Sequence, residues 1–89
     1  MGMRPVHLLR IGEYVKPRFD IDDARIAHWK YKKECASVGG GLTRWAKLQI
    51  VDTSEGATTA WVKLEIPGRH PAAYLKVSGE EMSWCFEDV

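Results

Sequence analysis

Two runs of alternating residues, separated by a short polar stretch, constrain the fold of this chain more than any other feature. The runs are 44–51 and 58–66, and apolar residues recur at every second position in both. Because successive side chains of a strand point to opposite faces, each run has an aliphatic face and a face of Trp, Lys, Gln, Thr and Glu. The pattern predicts a β-hairpin. We expect Lys47 opposite Glu65 and Leu48 opposite Leu64, which superimposes the two aliphatic faces.

Further strands are predicted on both sides of this central hairpin. Residues 5–15 are rich in apolar side chains without helical spacing, and Pro17 follows them, so they predict a first strand. Pro67–Pro71 is a loop sequence. Beyond it, residues 73–77 and 82–86 alternate around a Gly79-Glu80 turn, which predicts a second hairpin.

Residues 20–38 have the features of an α-helix. Acidic residues open the segment, cations come later, and Gly39–Gly41 follows it. At helical spacing one arc is apolar and can lie on the aliphatic face of the hairpin; it carries Ile21, Ala24, Ala27, Tyr31, Cys35 and Val38. An alternative interpretation makes residues 24–34 a strand, because their aromatic and basic residues also alternate.

These elements predict one domain over residues 1–89. We expect an α+β fold: an antiparallel sheet of four to five strands, arranged as a meander of hairpins, with one α-helix packed on one face. The alternative strand at residues 24–34 predicts an all-β small barrel instead.

Composition narrows the function. No apolar run of about 18 residues exists, and the first residues lack a secretory signal, so we expect a cytoplasmic protein without a membrane partner. Cys35 and Cys85 lie far apart without metal-ligand spacing and are expected to be reduced thiols, with no metal and no cofactor. The three histidines have no nucleophile motif or paired carboxylates beside them, so we predict no catalytic residues and no enzymatic activity.

Aromatic side chains on the non-aliphatic face of the predicted sheet indicate a binding surface. The predicted surface consists of Trp45, Trp61 and Tyr74 interleaved with Lys47 and Lys63. Such residues supply apolar area to a protein interface at low entropic cost. A second predicted patch lies on the outer side of the helix and consists of Ile26 and Trp29 with Lys30 and Lys33.

The sequence therefore predicts a small protein-binding module that occludes or bridges surfaces of a larger protein. Its size suits an adaptor, or an inhibitor of the kind made by phages and other mobile elements. The alternative is a module for single-stranded nucleic acid, whose bases stack on aromatic rings and whose phosphates meet lysines. The net charge of +1 speaks against that alternative. Two further alternatives are a homodimer joined through the aromatic faces and aromatics that only stabilise cross-strand contacts.

Overall fold

The computed structural model describes residues 8–35, 41–56 and 59–89, which form one five-stranded antiparallel sheet with short helices. The strands are β1 (Tyr14–Pro17), β2 (Leu48–Ser54), β3 (Trp61–Ile66), β4 (Ala73–Ser78) and β5 (Phe86–Asp88). The helices are α1 (Asp23–Ile26), a 3-10 helix (Lys32–Glu34) and α2 (Gly79–Cys85). The predicted α+β class is confirmed, and because the sheet is open, the alternative barrel is wrong.

The spatial order of the strands is β4-β3-β2-β1-β5. Helix α2 therefore connects one edge of the sheet to the other, and it packs on the aliphatic face. That face and α2 form the core, whose fully buried members include Val15, Leu48, Ile50, Val62, Leu64, Leu75, Val77, Met82 and Phe86. None of the helices in the described ranges is long and apolar enough to cross a membrane.

The central hairpin forms with the predicted faces but in a different register. Ile50, rather than Leu48, pairs with Leu64, and a bulge between Ile50 and Asp52 displaces the pairing by one more residue. A shift by two residues leaves the same side chains buried, because the side-chain period of a strand is two. The alternation alone therefore could not distinguish the two registers. The predicted loop over Pro67–Pro71 joins β3 to β4.

The predicted long helix over residues 20–38 is wrong. Asp22 caps α1 by accepting a hydrogen bond from the Arg25 amide, but α1 spans only Asp23–Ile26, and residues 36–38 lie outside the described part of the chain. Ile26 and Trp29 enter the core, whereas the small Ala24 and Ala27 of the predicted apolar arc are exposed. Burying a large apolar side chain stabilises the fold by roughly 1.5–3 kcal/mol, which the alanines cannot match.

The predicted second hairpin is also wrong, because its turn and second strand form α2. Ser78 and Glu81 make a reciprocal capping box: the Ser78 hydroxyl accepts from the Glu81 amide, and the Glu81 carboxylate accepts from the Ser78 amide. This cap satisfies free amides at the start of the helix. Met82 and Cys85 then point into the core, while Trp84 is 67% exposed. The apolar residues over 82–86 alternate by chance, because α2 is too short for the helical period to be visible in its sequence.

The first strand is shorter than predicted and begins later. Residues 5–7 lie outside the described part, and β1 spans Tyr14–Pro17. It pairs with β2 on one side and with β5 on the other. Pro17 belongs to the strand as its last residue, opposite Phe86, where a missing amide donor costs least.

Candidate binding groove on the open sheet face

The open face is the side of the sheet opposite the core and α2. Alternation along the strands directs aromatic, basic and acidic side chains to it: Tyr14, Lys16, Gln49, Asp52, Trp61, Lys63, Glu65, Tyr74 and Lys76. In β3 every second residue is buried in the core and the intervening ones are half-buried. The sequence thus determines which side chains share this face.

A groove of about 650 Å³ lies on the open face, at the edge of the sheet formed by β4. Side chains of β3 and β4 line its base, and the 3-10 helix borders it. Its lining residues are Lys33, Glu34, Cys35, Asp52, Trp61, Lys63, Pro71, Ala72, Ala73, Tyr74 and Lys76. The groove therefore joins the aromatic face of the sheet to a segment more than 25 residues earlier in the chain.

Lys76 holds the two parts of the groove together. Its ammonium Nζ lies 4.4 Å from the ring centre of Trp61 and 4.7 Å from that of Tyr31. The same Nζ is 3.2 Å from a carboxylate oxygen of Glu34. The Cys35 thiol donates a hydrogen bond to the Lys76 carbonyl oxygen, with the two atoms 3.6 Å apart. These contacts attach the segment around the 3-10 helix to β4.

Lysine ammonium groups also rest on the other aromatic rings of the open face. Lys63 Nζ lies 4.6 Å from the ring centre of Tyr74, and Lys47 Nζ lies 4.9 Å from that of Tyr14. Such cation-π contacts are attractive because the ring face carries negative charge. A ligand that stacks flat on one of these rings has to compete with the ammonium group already on it.

Four of the predicted binding residues come together in the groove. Trp61, Lys63, Tyr74 and Lys33 all line it, although the sequence predicts Lys33 in the separate helix patch. Sequence reasoning thus identified most of its base.

Two other predicted residues lie away from the groove. Trp45 is in a turn before β2 and is 76% exposed, with the Arg44 guanidinium 4.7 Å from its ring centre. Trp61, in the groove, pairs with Ser54 at the end of β2, whereas Trp45 precedes the start of that strand. Lys47 is beside Tyr14, also away from the groove.

The predicted patch on the outer side of a helix does not exist in the expected form. Ile26 and Trp29 are only 6% and 5% exposed. The Trp29 ring lies 6.1 Å from that of Phe86, centre to centre, inside the core. Of this patch, Lys30 is exposed, and its backbone amide donates to the Glu81 carboxylate at 2.9 Å. The expected exposure of Ile26 and Trp29 was wrong because the segment turns after one helical turn.

Sequence reasoning missed the contributions of Tyr31, Glu34 and Cys35. The sequence predicts Tyr31 and Cys35 on the buried arc of a helix. No local signal indicates that they contact β4, because the contact depends on where the chain turns. The alternation in β4 did place Lys76 on the same face as Tyr74.

The two cysteines, Cys35 in the groove and Cys85 in the core, are ionisable groups whose pKa values burial changes. Burial raises the pKa of the Cys35 thiol, partly offset by its hydrogen bond to the Lys76 backbone. Burial likewise raises the pKa of Cys85, whose thiol packs in the core. Both cysteines are free thiols. Among the described residues, no group of three or more His, Cys, Asp or Glu side chains is placed to hold a metal ion.

Comparison of the chain with protein-family models, with curated proteins and with solved structures finds no match.

Proposed function

We propose that this chain is a small non-enzymatic protein-binding module that occludes or bridges a surface of a larger protein through the groove on its open face. The observation that carries the proposal is the grouping of Trp61 and Tyr74 with Lys33, Lys63 and Lys76 around one groove. Protein interfaces are enriched in aromatic residues at their centre and surround them with polar groups.

The mixture of charges in the groove supports a protein partner. Three lysines line it together with Glu34 and Asp52. Asp52 lies opposite Lys63 in the register of β2 and β3, and the Glu34 carboxylate is 3.2 Å from the Lys76 ammonium. A surface of both signs with aromatic side chains is suited to the mixed side chains of a protein. It is less suited to a uniformly anionic phosphate backbone.

The alternative function is binding of single-stranded nucleic acid, and a titration distinguishes it from protein binding. We expect short single-stranded DNA or RNA to leave the tryptophan fluorescence of the chain unchanged at low salt, because Lys76 and Lys63 occupy the rings of Trp61 and Tyr74. Quenching that weakens steeply with added salt would instead support the nucleic-acid alternative.

The central experiment is affinity capture from cells that express the tagged chain. Wild type is compared with Trp61→Ala, and the proteins retained by each are quantified. Trp84→Ala is the matched control, because Trp84 is exposed on α2, across the sheet from the groove. We expect a partner that Trp61→Ala loses and Trp84→Ala retains, with binding weakened by about 2 kcal/mol or more. A partner lost equally with both variants, or with neither, would contradict the proposal.

Self-association through the open face is measured separately. Sedimentation of the purified chain over a range of concentrations reports the oligomeric state, and Trp61→Ala shows whether this face is involved. A dimer that depends on Trp61 would make a second copy of the chain the partner.

A further inference from the structure

Among the described strands, β4 lies at the edge of the sheet, so one side of its backbone has no neighbouring strand there. In an antiparallel pair, residues alternate between those that bond to the neighbouring strand and those whose backbone groups point away from it. The Gly79 amide donates to the Ala60 carbonyl, and the register pairs Ser78 with Trp61. It follows that the backbone groups of Tyr74, Lys76 and Ser78 point away from β3.

Part of this edge is already occupied by hydrogen bonds. The Lys76 carbonyl accepts from the Cys35 thiol, and the Ser78 amide donates to the Glu81 carboxylate at 3.1 Å. By contrast, the Tyr74 amide, the Tyr74 carbonyl and the Lys76 amide have no hydrogen-bond partner among the described residues. Within the described ranges 8–35, 41–56 and 59–89, the edge is therefore closed toward α2 and open around Tyr74.

The open part of the edge borders the groove. Tyr74 and Lys76 contribute their side chains to the groove and their outward backbone groups to the edge. A peptide laid along β4 in extended form would therefore hydrogen-bond to this edge while every second side chain pointed toward the open face.

The charges of the groove favour acidic side chains at those positions. Glu34 is already bridged to Lys76, whereas the ammonium of Lys63 rests on the Tyr74 ring and Lys33 lies at the border of the groove. The groove as a whole carries three lysines against two carboxylates. An incoming carboxylate can contact Lys33, and it can contact Lys63 beside its cross-strand neighbour Asp52, without displacing the Lys76–Glu34 pair.

From this arrangement we infer that the partner contributes an extended acidic segment, which adds as a short sixth strand to β4 through the Tyr74 amide and carbonyl and the Lys76 amide, and which directs carboxylates to Lys33 and Lys63. The inference rests on the proposed function and specifies how the groove recognises its partner. Backbone hydrogen bonds supply affinity that is independent of the peptide sequence, and the lysines supply the preference for acidic side chains.

The test begins with selection from a library of random peptides of about twelve residues, displayed against the immobilised chain. We expect the selected peptides to be enriched in Asp and Glu at alternate positions. Backbone hydrogen exchange of the chain with a selected peptide bound should then slow at the Tyr74 and Lys76 amides by about tenfold or more. Methylating alternate backbone nitrogens of the peptide should abolish binding, since it removes the donors of the added strand.

Paired variants separate the edge from the side chains. Tyr74→Pro removes the outward amide of Tyr74 at an edge position, where proline is tolerated, and Tyr74→Ala removes only the ring. We expect Tyr74→Pro to bind at least about tenfold more weakly than Tyr74→Ala. If Tyr74→Pro fails to fold, as judged by circular dichroism, the methylated peptides provide the same comparison on the unmodified chain.

Charge reversal tests the preference for acidic peptides. Lys33→Glu combined with Lys63→Glu should weaken binding by about tenfold or more, because two attractive contacts become repulsive. Lys32→Glu is the matched control, since Lys32 is exposed in the same 3-10 helix and does not line the groove. It should change the affinity by less than about twofold.

The outcomes distinguish this inference from the proposed function. Selected peptides that perturb Trp61 and Lys63 but leave the Tyr74 and Lys76 amides unprotected would overturn strand addition and leave a protein-binding groove. Peptides without acidic enrichment would overturn the stated partner chemistry. The whole inference would also be overturned if no peptide could be selected. The same holds if a single-stranded oligonucleotide, but no peptide, protected the Tyr74 and Lys76 amides. The capture experiment with Trp61→Ala tests the proposed function, and its outcome does not depend on the peptide experiments.

Discussion

The ammonium group of Lys76 lies 4.4 Å from the ring centre of Trp61, so a charged side chain of β4 rests on an aromatic side chain of the neighbouring strand. The same ammonium reaches Tyr31 and Glu34 on the other side of the groove. One lysine therefore connects the sheet with the segment around the 3-10 helix, and the shape of the groove depends on it.

Lys76→Met should lower the free energy of unfolding by about 0.5–1 kcal/mol, because it removes the cation-π contacts and the ion pair but keeps an apolar stem. Loss of the ion pair is expected to account for the smaller part of this decrease in the free energy of unfolding, since the Glu34 side chain is 52% exposed. Urea unfolding measures the change, and a cycle with Glu34→Gln separates the two contributions. Lys32→Met is the control; equal stability of Lys76→Met and wild type would contradict the role of Lys76.

Ser78→Ala should destabilise the fold by about 1 kcal/mol, because it removes the side-chain acceptor at the start of α2. Ser83→Ala, at an exposed position of the same helix, should change the stability by less than about 0.5 kcal/mol. Thermal unfolding of the two variants provides the comparison. Similar effects of both substitutions would mean that the capping box does not stabilise α2.

Trp29→Ala and Trp45→Ala should differ strongly although both remove an indole. Trp29 is 5% exposed and Trp45 is 76% exposed. We expect a loss of about 3–5 kcal/mol for Trp29→Ala, which leaves a cavity beside Phe86, and less than about 0.5 kcal/mol for Trp45→Ala. Chemical denaturation measures both values. A mild effect at Trp29 would be inconsistent with its place in the core.

Stability should fall as the solution becomes alkaline, partly because of Cys85. Burial raises the pKa of this thiol in the folded chain above its ordinary value of 9.0. The unfolded chain therefore loses the proton first, so stability present below about pH 9 is lost as the pH rises through the folded pKa. Unfolding under reducing conditions, measured from about pH 8 upward, should show a smaller alkaline loss for Cys85→Ala than for wild type. Parallel curves for the two proteins would rule out this contribution.

The sequence predicted the side-chain faces of the central hairpin, and through them the base of the groove. Trp61 and Lys63 reach the open face because they alternate with Val62 and Leu64, which are buried. Tyr74 follows from the same alternation in β4. A local period of two decides these orientations, and packing does not have to be known.

Residues 78–86 carry two competing local patterns, one typical of a helix start and one typical of a hairpin. Ser78 and Glu81 have the spacing of a capping box, but Gly79-Glu80 equally fits a hairpin turn, and the alternation over 82–86 favoured the strand. The structure selects the helix, which buries Met82 and Cys85 together while Phe86 continues into β5.

What the sequence determined by itself is which strand residues face inward and which face outward, since that depends on neighbours along the chain. Tertiary structure alone decided where residues 20–35 turn, because helices this short are not stable without packing. Burial of Ile26 and Trp29 ends α1 early and allows Tyr31, Glu34 and Cys35 to reach β4. The base of the groove was therefore predictable from the sequence. Its border was not, because contacts between residues distant in the chain determine where the border lies.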